Sequence, residues 1–204
     1  MIATTFKRLL GRTVLALGLA LSANAALADV MLSVNINTSS FGNGAVGFLD
    51  FQFNPATVGQ PLATATMTDL SGFDPSKFGS PEGDVTALAN GFQFANTTPL
   101  NALLYEATFG GVFSFNLTFA GDAIDAVSSR FSVQAYDANG NAAGNLADPL
   151  LLALDWSVSP AGAPAVTPGF VDSSAQATAV PEPSALMLAA LGLGMLGLIR
   201  RLQS

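Results

Sequence analysis

The chain has 204 residues, of which 50% are apolar and only 10% charged, with seven Lys and Arg against 14 Asp and Glu. That length suits one domain of ordinary size once targeting segments are set aside, and the low charge argues against a soluble cytoplasmic enzyme, in which roughly a quarter of residues are charged. Cys and His are absent, which excludes thiol nucleophiles, disulfides, Ser-His-Asp relays and the usual zinc sites. A net charge of −7, with no basic cluster outside the two ends, excludes the basic surface that nucleic acid requires.

At the N-terminus Lys7, Arg8 and Arg12 precede an uncharged apolar run from Val14 to Leu21, and then a small-residue stretch from Ser22 to Ala28. Basic, apolar and small-residue regions in that order make residues 1–28 a secretory signal peptide. As a helix the apolar run rises only about 12 Å, too little for a bilayer core of roughly 30 Å. Ala26 and Ala28 put small side chains at alternate positions, so signal peptidase is expected to cut after Ala28, with Ala25 the next choice.

From Asp29 to Asp172 the pattern is strand after strand. Leu32, Val34 and Ile36 alternate with Ser33, Asn35 and Asn37; Leu49, Phe51 and Phe53 alternate with Asp50 and Gln52; Ala63, Ala65 and Met67 alternate with Thr64, Thr66 and Thr68. Period two with one polar face marks half-buried antiparallel strands. Leu103 to Phe109, Gly110-Gly111 and Val112 to Phe119 read as a hairpin with Phe113, Phe115, Leu117 and Phe119 inward, because paired glycines tolerate the positive φ of a tight turn. A strand from Phe131 to Tyr136 ends at the turn Asp137 to Gly140, Leu150 to Trp156 forms another, and Gly169 to Val171 a last short one. About eight strands without an amphipathic helix between them predict an all-β fold, an antiparallel, jelly-roll-like β-sandwich over residues 29–172. Most of the 15 Phe take inward positions and fill its core, which leaves Trp156, Tyr105 and Tyr136 as candidate exposed stacking platforms.

Residues 173–180 are small and polar and are expected to form a flexible linker. In Pro181-Glu182-Pro183 the two prolines fix φ and remove amide donors, which keeps the stretch extended. Ser184 then caps a helix that is uncharged from Ala185 to Ile199. Its rise from Ser184 is about 24 Å, and the shortfall against the bilayer is met by local thinning and snorkelling arginines. This is a single C-terminal transmembrane helix, stopped by Arg200 and Arg201. Lys7, Arg8 and Arg12 lie at one end and Arg200 and Arg201 at the other, with only Lys77 and Arg130 between, so the positive-inside rule places the whole middle outside.

The order of Pro181-Glu182-Pro183, a short apolar helix and a terminal Arg200-Arg201 pair within residues 181–204 resembles the PEP-CTERM sorting domain. The resemblance implies a Gram-negative bacterium that makes exopolysaccharide and a partner of the exosortase class. Such an enzyme is a membrane-embedded cysteine transpeptidase that recognises the Pro-Glu-Pro element, cuts near it and hands the domain to the cell surface or extracellular matrix. Gly47 to Pro55 is similar to a segment of the small β-rich passengers of such proteins, a group with no activity to carry over. The expected partners are the secretion machinery, signal peptidase, the membrane, an exosortase-like enzyme and exopolysaccharide. The expected role is structural or adhesive in a biofilm matrix, or alternatively that of a carbohydrate-binding module.

Asp137, Asn139 and Asn141 fall at positions one, three and five of a calcium loop, with Asp148 at position twelve. Ala142 stands where the loop needs glycine and no helices flank it, so a plain Asn-Gly turn is expected. Between Asp29 and Asp172 thirteen acidic side chains face two cations; such a surplus collects calcium outside the cell or simply keeps an apolar secreted domain soluble. Glu82 and Glu106 stand in no recognisable context for two-carboxylate glycoside hydrolysis, so no enzyme, cofactor or catalytic residue is expected. Asn37, Asn96 and Asn116 have the form of glycan acceptors, a pattern expected by chance in a bacterial chain.

Overall fold

The computed structural model of the protein describes residues 29–121, 124–144, 146–158 and 164–180. The expected signal peptide with Ala26 and Ala28, the Pro181-Glu182-Pro183 element, the expected apolar helix and Arg200-Arg201 lie outside the described residues.

Among the described residues the alternating stretches form eleven strands: β1 (Val30–Asn37), β2 (Val46–Pro55), β3 (Ala63–Ser71), β4 (Val85–Leu88), β5 (Gly91–Ala95), β6 (Ala102–Thr108), β7 (Val112–Gly121), β8 (Ile124–Asp137), β9 (Leu150–Val158), β10 (Pro164–Val171) and β11 (Ala175–Ala179). They build two antiparallel sheets, ordered β11-β1-β7-β3-β5-β4 and β10-β9-β8-β2-β6. Single 3-10 turns at Ser39–Phe41 and Pro75–Lys77 sit in the connections, and no described helix is long and apolar enough to cross a membrane.

The inward rows of the two sheets meet in one apolar core. Val34, Ile36, Leu49, Phe51, Phe53, Ala65, Met67, Leu117 and Phe119 are fully buried, as their alternation requires. Across the interface Phe51 of β2 lies edge-on to Phe115 of β7, with ring centroids 5.7 Å apart. Phe94 of β5 meets Phe131 of β8 edge-on at 6.0 Å, and Phe119 of β7 stacks on Trp156 of β9 at 5.7 Å. Such edge and stacked geometries follow the ring quadrupoles and add to the burial of each aromatic, about 150–250 Å².

The hairpin expected at Gly110-Gly111 is not formed. β6 lies in the sheet of β2 and β7 in the sheet of β1, so Phe109 to Gly111 carries the chain from one sheet to the other. The connection from β1 to β2 crosses in the opposite sense, and the two crossings clamp each other. Phe109 packs edge-on against Phe41 at 5.4 Å, and the Gly110 amide donates to the Thr38 hydroxyl at 3.1 Å. The Thr38 amide donates to the Gly111 carbonyl, and the Gly44 amide to the Phe109 carbonyl, each at 2.9 Å. Gly110 has φ +112°, and a Cβ there would fall 2.5 Å from the Asn43 side chain. Glycine is needed for this close crossing.

The flexible linker expected over 173–180 is also corrected. Ala175–Ala179 is β11, paired along β1 with Ala177 opposite Val34. Ala175, Ala177 and Ala179 alternate with Gln176 and Thr178. Ala175 is buried and Ala177 packs against the core, so a strand of small residues suffices where its partner β1 supplies Val34 and Ile36 as bulk.

Candidate functional site: the C-terminal edge strand

The turn into β11 is built by Asp172. Its amide donates to the Leu151 carbonyl at 2.8 Å, and its own carbonyl accepts from the Ala175 amide at 3.0 Å. One carboxylate oxygen accepts from the Ser174 amide at 2.8 Å and the Ser174 hydroxyl at 2.7 Å. These bonds, the backbone one first, hold the Asp172 carboxyl below the usual carboxylate range.

The ladder with β1 starts where the Asn37 amide donates to the Ser174 carbonyl at 2.7 Å, and ends where the Val180 amide donates to the Met31 carbonyl at 2.9 Å. Because antiparallel pairs alternate between bonded and non-bonded, Gln176 and Thr178 also face β1, opposite Asn35 and Ser33. The amides and carbonyls of Ala177 and Ala179 therefore point to the other side, where no strand pairs among the described residues. β1 begins at Val30, one residue after the exposed Asp29, so the two ends of the described domain leave side by side. Period-two alternation over Ala175–Ala179 was the available sequence signal for this strand, masked by its lack of large apolar residues.

Two of the three candidate platforms are not exposed. Trp156 and Tyr105 are 1% and 3% exposed, and the Tyr105 hydroxyl accepts from the Asp74 amide at 2.9 Å. Both belong to the core because their strand positions face the opposite sheet. Tyr136 is half-buried, opposite Phe48 on the outer face of the sheet of β2 and β8. Its hydroxyl donates to Gln134. Beside it runs a polar ladder on β2, in which the Asn54 amide group donates to Gln52 at 2.9 Å and that of Gln52 to Asp50 at 2.6 Å. Burial pushes the Asp50 carboxyl up, against the lowering bond from Gln52 and with a smaller push from Glu82. Tyr136 is raised by burial and then by the carboxylates of Asp50 and Asp148.

At the loop with calcium-like spacing, one oxygen of Asp137 accepts the amides of Asn139 and Asn141, each at 2.8 Å. The bonds from Asn141 chiefly hold its carboxyl below the usual range. Asp148 caps a separate turn through the Leu150 amide at 2.8 Å. Each carboxylate is thus used by its own backbone, and among the described residues no three Asp or Glu come together as a metal site. Glu106 pairs with Lys77, while Glu82 bridges Ala102. Ala102 and Glu106 are about 13 Å apart along β6 at roughly 3.3 Å per residue, which separates the backbone positions of the two glutamates.

Two asparagines serve the fold. Asn96 accepts from the Ala63 amide at 2.8 Å and donates to Ser129 at 3.0 Å. Asn101, which no sequence pattern marks, is fully buried. It accepts from the Asp84 amide at 2.8 Å and donates to the carbonyls of Phe53 at 3.0 Å and Thr98 at 2.9 Å.

With β11 running without a gap toward Pro181, the double-sheet domain is a β-rich passenger that carries a signal at its C-terminus. Residues 179–202 match the family model of the PEP-CTERM protein-sorting motif. The motif marks an exported bacterial protein that transits the membrane and is sorted through an exosortase. No curated protein and no solved structure matches the chain.

Proposed function

We propose that the passenger is a non-catalytic, structural or adhesive component of an exopolysaccharide-containing matrix outside a Gram-negative cell. The observation that carries this reading is a sorting motif that begins at Ala179, where β11 ends. Signal peptidase removes residues 1–28 after Ala28. Pro181, Glu182 and Pro183 present an extended, singly charged strand at the membrane surface, the helix to Ile199 holds the tail in the inner membrane, and Arg200 with Arg201 stops transfer. The absence of Cys and His supports a passenger without catalysis. The chain's repeated crossing between sheets supports the jelly-roll-like description. Mass spectrometry of the mature C-terminus tests the reading: a product ending near Glu182 is expected, with unprocessed precursor kept in the inner membrane by Glu182→Ala or by neutral residues at 200 and 201. A mature protein ending at Ser204 overturns it.

A second reading, a carbohydrate-binding module, is favoured by the outer face on which Tyr136 lies opposite Phe48 and beside Asp50 and Gln52. Aromatic faces take sugar C–H groups while carboxylates and amides take hydroxyls. Polysaccharide pull-down by the exported protein, lost in Tyr136→Ala, is the expected result; no binding with or without Ca²⁺ removes this reading.

A further inference from the structure

Among the described residues the two sheets have four edges, and three of them are guarded. Along β6 the Gly79 amide donates to the Leu104 carbonyl at 2.8 Å, and Glu82 and Ala102 exchange amide bonds at 2.9 and 3.0 Å. β10 carries Pro164 and Pro168 and a bulge before Phe170. β4 has only four residues and follows Asp84. Covering segments, prolines, bulges and short length are the usual ways to stop a sheet edge from pairing with another chain. β11 has no proline and no charge. The amides and carbonyls of Ala177 and Ala179 face its free side, and Gln176, Thr178 and Ala179 are exposed. Ala179 is also the first residue of the sorting motif.

We propose that the free edge of β11 is a docking edge for the sorting enzyme, which adds an extended segment of its own to the sheet and so seats the adjoining motif. This rests on the exosortase-sorted reading. Strand addition takes its affinity from main-chain hydrogen bonds and needs little from side chains, which fits a strand of Ala, Gln and Thr. The occupant is the enzyme because the edge is continuous with the segment that it processes. The folded passenger is therefore part of the recognised substrate.

Proline separates the two sides of β11. Ala177→Pro removes an outward amide and blocks the free edge while the bonds to β1 remain, since proline is tolerated on an edge strand where its nitrogen faces outward. Gln176→Pro instead breaks the ladder to β1. In cells that carry the enzyme, pulse-labelled Ala177→Pro precursor is expected to convert about five-fold more slowly or worse, the effect of one lost bond or more, with its melting transition kept. Conversion at the wild-type rate overturns the proposal, as does faster conversion of Gln176→Pro, which would mean that β11 must detach. Should Ala177→Pro not fold, amide exchange of the wild-type chain in membranes with inactivated enzyme decides: slowed exchange at Ala177 is expected, and unchanged exchange overturns it. Protection that grows with protein concentration without enzyme marks a second copy as the occupant and also overturns it. Glu182→Ala is the separate control, because normal conversion of that variant sinks the sorting reading itself.

Discussion

The Val180 amide donates to the Met31 carbonyl at 2.9 Å and closes the ladder between the last described strand and the first. Since β1 and β11 are antiparallel, the segment before Val30 and the segment after Val180 leave from the same end of one sheet. On the proposed reading, signal peptidase and the sorting enzyme would act on neighbouring exits of the described domain. On the docking proposal, β11 makes folding and sorting depend on the same residues.

Removing β11 tests that dependence. A chain ending at Val180 is expected to unfold at the denaturant concentration of the full passenger. One ending at Asp172 loses the ladder to β1 and the burial of Ala175, a loss of about 6 kcal/mol at about 1 kcal/mol net per bond. Urea unfolding of the two exported proteins measures the difference, and equal midpoints would restore a linker at 173–180.

Asn101 and Asn139 predict opposite outcomes for the same substitution. Asn101→Ala strands the half-buried Asp84 amide and the carbonyls of Phe53 and Thr98, and is expected to cost about 2–4 kcal/mol. Asn139→Ala is expected to stay within about 0.5 kcal/mol, because the residue is exposed, its backbone amide keeps its bond to Asp137, and its side chain is the smallest of the groups that lower that carboxyl. Chemical denaturation of both variants checks the contrast.

Phe119 tests the seam between the sheets. It stacks on Trp156, packs edge-on to Phe131 and is fully buried, so Phe119→Ala is expected to cost about 3–5 kcal/mol. Emission of Trp156, the only tryptophan, should shift to longer wavelength if water enters the gap; unchanged emission and stability would place the seam elsewhere.

The pH dependence has two components of opposite sign. Asp172 and Asp137 are lowered by hydrogen bonds, so their stabilisation is present above the unfolded value of about 4 and is lost as pH falls through the lower folded values. Asp50 is raised by burial. It opposes folding at neutral pH, and that opposition fades as pH falls through its raised folded value. Unfolding midpoints from pH 7 to about 3 should therefore show a weaker acid loss for Asp172→Asn and a smaller rise on mild acidification for Asp50→Asn. Curves that superimpose on the wild type would remove these assignments.

The inward side of β1, β2, β3 and β7 was legible without any structure. Phe113, Phe115, Leu117 and Phe119 are buried because successive side chains on a strand point to opposite faces whatever its neighbours are. The sorting tail was equally legible, since a Pro-Glu-Pro element, an apolar run and two arginines are properties of the local sequence. Tertiary structure decided which strands pair. Gly110-Gly111 has the composition of a hairpin, yet Phe41, Asn43 and Thr38, distant in sequence, pull it into a crossing between sheets. Distant residues also settled the roles of Trp156 and Tyr105, whose strand positions face the opposite sheet. For Ala175–Ala179 the apolar bulk that makes a strand worthwhile comes from β1, so its own residues could not announce it.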